Sequence, residues 1–236
     1  MGLRSSGPLR GLPRCFVAGI PDPAPEIIEL PKEELDKFRK VLRLSTGAPI
    51  AVLTGDGRLL ECELAGTHAT LVETHRPNTE SKRNVTLCLA LSRPEKLEES
   101  IRMGTELGIK HFVVFPSDRS VVRWDDHKRE SRMKRLTSII QESAEVSYRT
   151  HLPTLTFCPS LTELLKTHKD ALVLSEGESI TQRLTPADEL TLVIGPEGGW
   201  APREVTQIAG RERTLGPLVL RVDTASAAAC VLALLS

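Results

Sequence analysis

The sequence predicts an α/β protein in two parts, a small, mostly β, barrel-like domain followed by a parallel sheet flanked by helices. Three observations carry that expectation. Short β-type segments separated by turns fill residues 1–75. Strand and helix signals then alternate from residue 85 to the end, the pattern of a parallel α/β sheet. Between them, residues 76–84, Arg-Pro-Asn-Thr-Glu-Ser-Lys-Arg-Asn, are polar, contain a proline and carry no apolar side chain, as a linker should. The expected organisation is therefore 1–75, a 76–84 linker, and 85–236.

In the first part the β-type segments are Cys15–Ala18, Glu26–Leu30, Pro49–Leu53, Arg58–Leu64 and Ala69–Glu73. Thr54-Gly-Asp-Gly57 reads as a hairpin turn, because glycine supplies the positive φ that tight turns demand. One helix, Lys32–Leu42, follows Pro31 and places Leu35, Phe38 and Leu42 on one face.

In the second part Val85–Leu91 is a buried-type strand, and Ser92-Arg-Pro-Glu95 is a capping-box pattern opening a helix with Leu97, Ile101, Gly104 and Gly108 on one face. His111–Phe115 is the next strand. A long helix, Lys128–Ser147, directs Met133, Leu136, Ile140 and Ala144 inward. Strands follow at Ala171–Leu174, Leu190–Ile194 and Arg213–Leu215, with helices at Leu161–His168 and Pro202–Ala209 and a final helix from Thr224.

Composition narrows the classes. The 236 residues carry 31 Lys+Arg against 31 Asp+Glu, with 40% apolar and 26% charged side chains, which excludes a disordered or fibrous chain. No run approaches the ~20 apolar residues of a membrane span, and the first ten residues lack the apolar core of a secretory signal. Five scattered cysteines, none in a CxxC pair, disfavour a disulfide framework and a zinc site, and a reducing, cytoplasmic setting fits. The zero net charge conceals local asymmetry. Arg4, Arg10 and Arg14 stand in residues 1–14 without an acid, and residues 119–135 hold seven basic residues against three acidic ones.

Ligands in α/β sheets bind beyond the carboxyl ends of the strands. The loops there are Ser175-Glu-Gly-Glu178, Gly195-Pro-Glu-Gly-Gly-Trp200 and Gly216-Pro-Leu-Val-Leu-Arg-Val-Asp-Thr224. The Gly195–Gly199 loop is neither a Walker loop, since no Gly-Lys-Ser/Thr follows, nor GxGxxG, since the spacing is wrong. Its glycines let backbone groups reach a flat ligand, with Glu197 at the strand end.

Leu192-Val-Ile-Gly-Pro-Glu-Gly-Gly-Trp-Ala-Pro-Arg-Glu204, followed by Leu215-Gly-Pro-Leu-Val-Leu-Arg-Val-Asp-Thr-Ala225, closely resembles the RsmE family of SPOUT-class methyltransferases. Pro13-Arg-Cys-Phe-Val17, Val41-Leu-Arg-Leu44, Thr54–Gly57, Lys96, Glu106-Leu-Gly108, Ser117-Asp-Arg-Ser-Val121, Glu145, Arg149 and Pro153 extend the similarity over nearly the whole chain.

The resemblance implies a PUA-like amino-terminal β-barrel and a SPOUT α/β domain whose last segment threads a trefoil knot. It also implies a homodimer that uses S-adenosylmethionine to methylate N3 of a uridine in small-subunit (16S) ribosomal RNA, with no metal and no membrane. The implied cofactor contacts are Leu174, Ser175, Ile194, Gly195, Pro196, Glu197, Gly198, Gly199, Leu215, Gly216, Val219, Leu220, Thr224 and Ala225.

Such a transfer needs in-line placement of the base and loss of its N3 proton. Arg221 suits stabilisation of the developing imide charge, Asp223 and Glu197 are candidate proton acceptors or positioning groups, and Thr224 is the expected cap of the final helix. For RNA, the phosphate-contact candidates are Arg14, Arg39, Lys40 and Arg43 in the first part, with Arg119, Arg123 and Arg149 in the second. Five Phe, two Trp and one Tyr are few for a reader of stacked single-stranded bases, which points to recognition of a folded RNA, within an assembled subunit.

Four departures from the family pattern stand out: Leu218 where an Arg commonly follows Gly-Pro, Met103 at a position often held by Lys, Asp223 in place of Glu, and Val146 with Tyr148 in place of Gln and Gly. Arg102 and Arg221 supply compensating charge. The alternative these departures motivate is a catalytically weak or inactive RNA-binding assembly factor that keeps the fold.

Overall fold

Pro49–Leu53 (β3), Leu59–Ala65 (β4) and His68–His75 (β5) alternate β-branched, aliphatic and polar residues across two tight turns, and in the computed structural model they form an antiparallel meander. Residues 9–177 and 180–235 are described; Arg4 and Glu178 lie outside them. Arg14–Phe16 (β1) adds to β3 in parallel and Ile27–Glu29 (β2) adds to β5 antiparallel, giving the order β1-β3-β4-β5-β2. The Thr54–Gly57 turn is present, with Gly55 and Gly57 at φ 84° and 99°. Arg58, 2% exposed, pins it by a bidentate bond to Asp56 and by donating to the Pro21 and Ile20 carbonyls at 2.7 Å.

The expected Lys32–Leu42 helix begins as α1 (Lys32–Asp36) and widens into a π-turn over Lys37–Val41. Phe38 is fully buried but Leu42 is 46% exposed, because the wider turn rotates it off the buried face.

This sheet is covered on both faces. One side packs Cys15, Ile28, Phe38, Ile50, Val52, Leu60, Cys62 and Leu64. The other packs Leu12, Phe16, Ala51, Leu53 and Leu59 against Ala144 and Tyr148. The first compact unit accordingly runs to Glu80 and includes Ala144–Leu152. Within it Glu145 accepts the Phe16 N–H at 3.1 Å and the Lys37 ammonium at 2.9 Å.

The second unit comprises Ser81–Ser143 and the chain from Pro153 onward. Its strands are β6 (Asn84–Ala90), β7 (His111–Phe115), β8 (Thr154–Phe157), β9 (Leu172–Leu174), β10 (Glu189–Ile194) and β11 (Glu212–Arg213). They pair in parallel in the order β11-β9-β10-β6-β7-β8. The chain builds outward from β6 to β8, crosses to β9, and returns to insert β10 between β9 and β6. That reversal of order makes a topological switch point beside β10.

Helices α2 (Pro94–Leu107), α3 (Asp126–Val146), α4 (Leu161–Thr167), α5 (Pro202–Ile208) and α6 (Val222–Leu234) connect and cover the strands. A core of Cys88, Ala90, Val113, Phe115, Val173 and Val193 meets Leu161, Leu164, Trp200 and Ile208. β8 has no counterpart among the expected strands: its Thr-Leu-Thr-Phe sequence is short and half polar, and it sits at a sheet edge.

Two helix starts differ from expectation. α2 begins with Pro94 at its first position and makes no side-chain cap; the Ser92 hydroxyl is buried instead of capping. α6 starts at Val222 with Arg221 as its N-cap, three residues before the expected cap Thr224, which stands inside the first turn. No described helix is long and apolar enough to cross a membrane.

Candidate active site

The carboxyl ends of β9, β10 and β11 open onto a cleft of about 750 Å³, within the ~300–1,000 Å³ of small-molecule sites. The three expected loops meet there. Leu174, Ser175, Ile194, Gly195, Pro196, Glu197, Gly199, Leu215, Gly216, Val219, Leu220, Arg221 and Ala225 all line it. Gly198 and Thr224 do not; Gly198 instead stands against Arg119, whose Nη1 donates to its carbonyl at 3.1 Å.

Trp200 floors the cleft. Its indole N–H donates to the Leu174 carbonyl at 3.2 Å, tying the loop after β10 to the end of β9. A Cβ on Gly195 would stand 3.0 and 3.1 Å from the Trp200 ring, so glycine is required for the ring to lie this close to the backbone.

Glu204, 3% exposed in α5, fixes the same loop from below. It accepts the Ser117 hydroxyl at 2.8 Å, the Asp118 N–H at 2.9 Å and the Ala201 N–H at 2.9 Å. Across the cleft the Leu220 N–H donates to Glu176 Oε1 at 3.0 Å, which ties the loops after β9 and β11 together.

The charged groups divide by role. Arg221 lines the cleft, is exposed, and has no carboxylate partner among the described residues. Glu197 also lines it and accepts the Arg93 N–H at 3.0 Å. Asp223 lies outside the lining, where its Oδ2 accepts from Lys96 Nζ at 2.6 Å. That bond, with the N–H groups of Asp223 and Thr224 at the start of α6, holds the Asp223 carboxyl below the usual carboxylate range. A carboxylate so stabilised is a weak base, better suited to orienting Lys96 than to taking a proton.

Arg93, Glu176, Trp200 and Leu218 also line the cleft, with Lys96 among them, beyond the residues expected from the sequence. The signal for Arg93 and Lys96 was available: they follow β6, whose end lies next to β10, so a fourth loop reaches the same place.

The RNA-contact candidates are dispersed. Lys40 and Arg43 are exposed. Arg39 is half-buried and donates to the Leu44 and Gly66 carbonyls, and Arg14 donates to the Leu12, Glu145 and Arg10 carbonyls and lies over the Tyr148 ring. Arg119 is exposed beside Gly198, and Arg123 closes the Ser117–Ser120 turn through the Ser117 and Asp118 carbonyls. Arg149 is 3% exposed and spends its guanidinium on Glu80, so its charge is not displayed to a phosphate.

A parallel sheet with a switch-point cleft, built over residues that match the RNA methyltransferase domain from 79 to 234, places this chain in the RNA methyltransferase class. It is 32% identical over 214 residues to the ribosomal RNA small subunit methyltransferase E of Bacillus subtilis, covering 82% of this chain and 84% of the relative. It is 31% identical over 206 residues to the protein of the same name from Mycobacterium bovis, covering 80% and 79%. The chain belongs to the ribosomal RNA small subunit methyltransferase E family. The fold agrees with a putative methyltransferase of Legionella pneumophila solved with bound SAM, at TM-score 0.83 and 24% identity over 92% of this chain and 94% of that one. It agrees equally with a ribosomal RNA small subunit methyltransferase E from Neisseria gonorrhoeae bound to S-adenosyl methionine, at TM-score 0.81 and 22% identity over 93% and 95%.

Proposed function

We propose that this protein transfers a methyl group from S-adenosylmethionine to N3 of a uridine in 16S ribosomal RNA. The observation that carries the reading is the convergence of the loops after β6, β9, β10 and β11 on one cleft, in a chain of this family. The residues present fit the cofactor. The cleft has the volume for it, and Leu174, Ile194, Leu215 and Trp200 offer apolar surface to a purine. Backbone at the tight Gly195 turn offers hydrogen bonds, and Glu176 and Glu197 offer negative charge to a cationic ligand. When bound, the cofactor supplies an electrophilic methyl group on a sulfonium.

The chain's own work is placement and charge. Arg221, a permanent cation at the cleft with no competing carboxylate among the described residues, stabilises the uridine imide as its N3 proton passes to the Glu197 carboxylate and on to solvent. Asp223 keeps Lys96 aimed at the cleft edge, and Glu197 braces the start of α2 through the Arg93 N–H. Leu218, 74% exposed at the rim, offers contact to the base in place of a charge.

In this reading the first unit is a PUA-like barrel that holds folded rRNA through Lys40 and Arg43, with Arg119 and Arg123 contacting phosphates from the second unit. The β9-to-α6 segment forms the trefoil knot, and the enzyme acts as a cytoplasmic homodimer on the small subunit. The test is transfer of labelled methyl from S-adenosylmethionine to small subunits lacking the modification, followed by nucleoside mass spectrometry. The expected product is 3-methyluridine in 16S rRNA; incorporation into ribose, or none, overturns the assignment.

A further inference from the structure

The first unit carries a cluster that the methyl-transfer reading leaves unused. Glu73 and His75 stand two residues apart on β5 and project from one face of the sheet, and Glu61 lies directly opposite Glu73 on β4. One ligand atom from each of the three lies within 4.8 Å of the others. His75 Nε2 is 3.0 Å from Glu61 Oε2 and 3.9 Å from Glu73 Oε2.

Two physical facts make this more than a surface pair. Like charges facing each other across adjacent strands destabilise a sheet, and among the described residues neither Glu61 nor Glu73 has a lysine or arginine partner. The Glu61 side chain is also 9% exposed, so water does little to screen it. His75 hydrogen-bonds Glu61 but leaves Glu73 facing the same carboxylate.

We propose that Glu61, Glu73 and His75 bind one divalent transition-metal ion of the Zn²⁺ class. A tetrahedral ion with bonds of about 2.0–2.1 Å separates its ligand atoms by about 3.3 Å, and the observed 3.0 and 3.9 Å bracket that spacing. One imidazole nitrogen and two carboxylates are a donor set for Zn²⁺ and its neighbours rather than for Mg²⁺ or Ca²⁺, which take oxygen alone. The ion neutralises the opposed carboxylates and leaves a coordination position for water on the side of Glu73, whose side chain is 67% exposed. The site rests on residues of the β4–β5 hairpin only, so it stands or falls independently of the methyl-transfer reading.

The experiment uses the full chain stripped with a chelator. Zn²⁺ is titrated against a chromophoric competitor, Co²⁺ is added as a spectroscopic probe, and thermal unfolding is followed with and without Zn²⁺. The expected results are one equivalent bound, visible Co²⁺ d–d bands without a near-ultraviolet thiolate band, and a midpoint raised by a few degrees. Glu73→Gln, at an exposed position that leaves the fold intact, weakens binding by tenfold or more, as does His75→Ala. Absence of saturable binding, affinity in either variant equal to the parent's, or a thiolate charge-transfer band that places the ion on cysteine overturns the proposal.

Discussion

Lys96 Nζ lies 2.6 Å from Asp223 Oδ2, joining the first turn of α2 to the first turn of α6 beside the cleft. Since the bond holds the Asp223 carboxyl below its ordinary range, its stabilisation is complete above the unfolded carboxylate range and is lost as pH falls through the lowered folded value. Asp223→Asn therefore lowers the thermal midpoint at pH 7, by about 1 kcal/mol of stability, and the two proteins converge in acid. Lys96→Met reduces methyl transfer tenfold or more with a similar small loss of stability. Unfolding curves across pH and single-turnover assays check both.

Gly195→Ala forces a methyl group against the Trp200 ring. Overpacking of this kind costs about 1–3 kcal/mol, and displacing the ring shrinks the cleft. Isothermal titration is expected to find S-adenosylmethionine binding at least tenfold weaker, with denaturant unfolding reporting the stability loss.

Removing the Glu204 carboxylate by Glu204→Ala leaves the Asp118 and Ala201 N–H groups and the Ser117 hydroxyl without their acceptor. Unsatisfied donors at a 3% exposed position put the cost at about 3 kcal/mol. Chemical denaturation measures it, and faster proteolysis in the Gly195–Trp200 loop is expected alongside.

Arg149 and Lys40 differ in burial, and the proposed function gives only Lys40 a place at the RNA. Arg149→Met strands the Glu80 carboxylate, 15% exposed, and is expected to cost about 3 kcal/mol. Lys40→Ala, at a side chain 72% exposed, stays within about 0.5 kcal/mol of the parent stability and lowers RNA affinity with a salt slope reduced by about one. Filter binding over a salt series, beside unfolding curves, distinguishes the two.

The thiols differ in reach. Burial pushes Cys62 and Cys230 up to about 12 and raises Cys15 and Cys88 as well, whereas Cys158 is half-exposed. A native-state thiol assay is expected to find one fast cysteine, removed by Cys158→Ser, and four that react only on unfolding.

Much of the fold was legible because its signals are local. The apolar runs of β6, β7 and β10 and the 3.6-residue pattern in α2 and α3 appear in the sequence as they do in space. The Gly195–Trp200 loop was legible as a ligand loop because it follows an apolar strand. Three features were hidden because they depend on distant partners. β8 is recognisable only by its pairing with β7 at the sheet edge. Lys96 enters the cleft because β10 inserts next to β6. Arg149 reads as a basic surface residue until Glu80, 69 positions earlier, is found against it.

The inclusion of Ala144–Leu152 in the first unit fixes an order of events at the ribosome that makes this chain. The core face formed by Leu12, Phe16, Ala51, Leu53 and Leu59 receives Ala144 and Tyr148 as its cover, so the amino-terminal sheet emerges long before its last wall is synthesised. Domains usually finish in the order they are made; here the first must wait until residues 81–143 of the second have been made. A fragment ending at Glu80 would carry an uncovered apolar face, because Ala144 and Tyr148, which cover it, come 64 and more residues later in the chain.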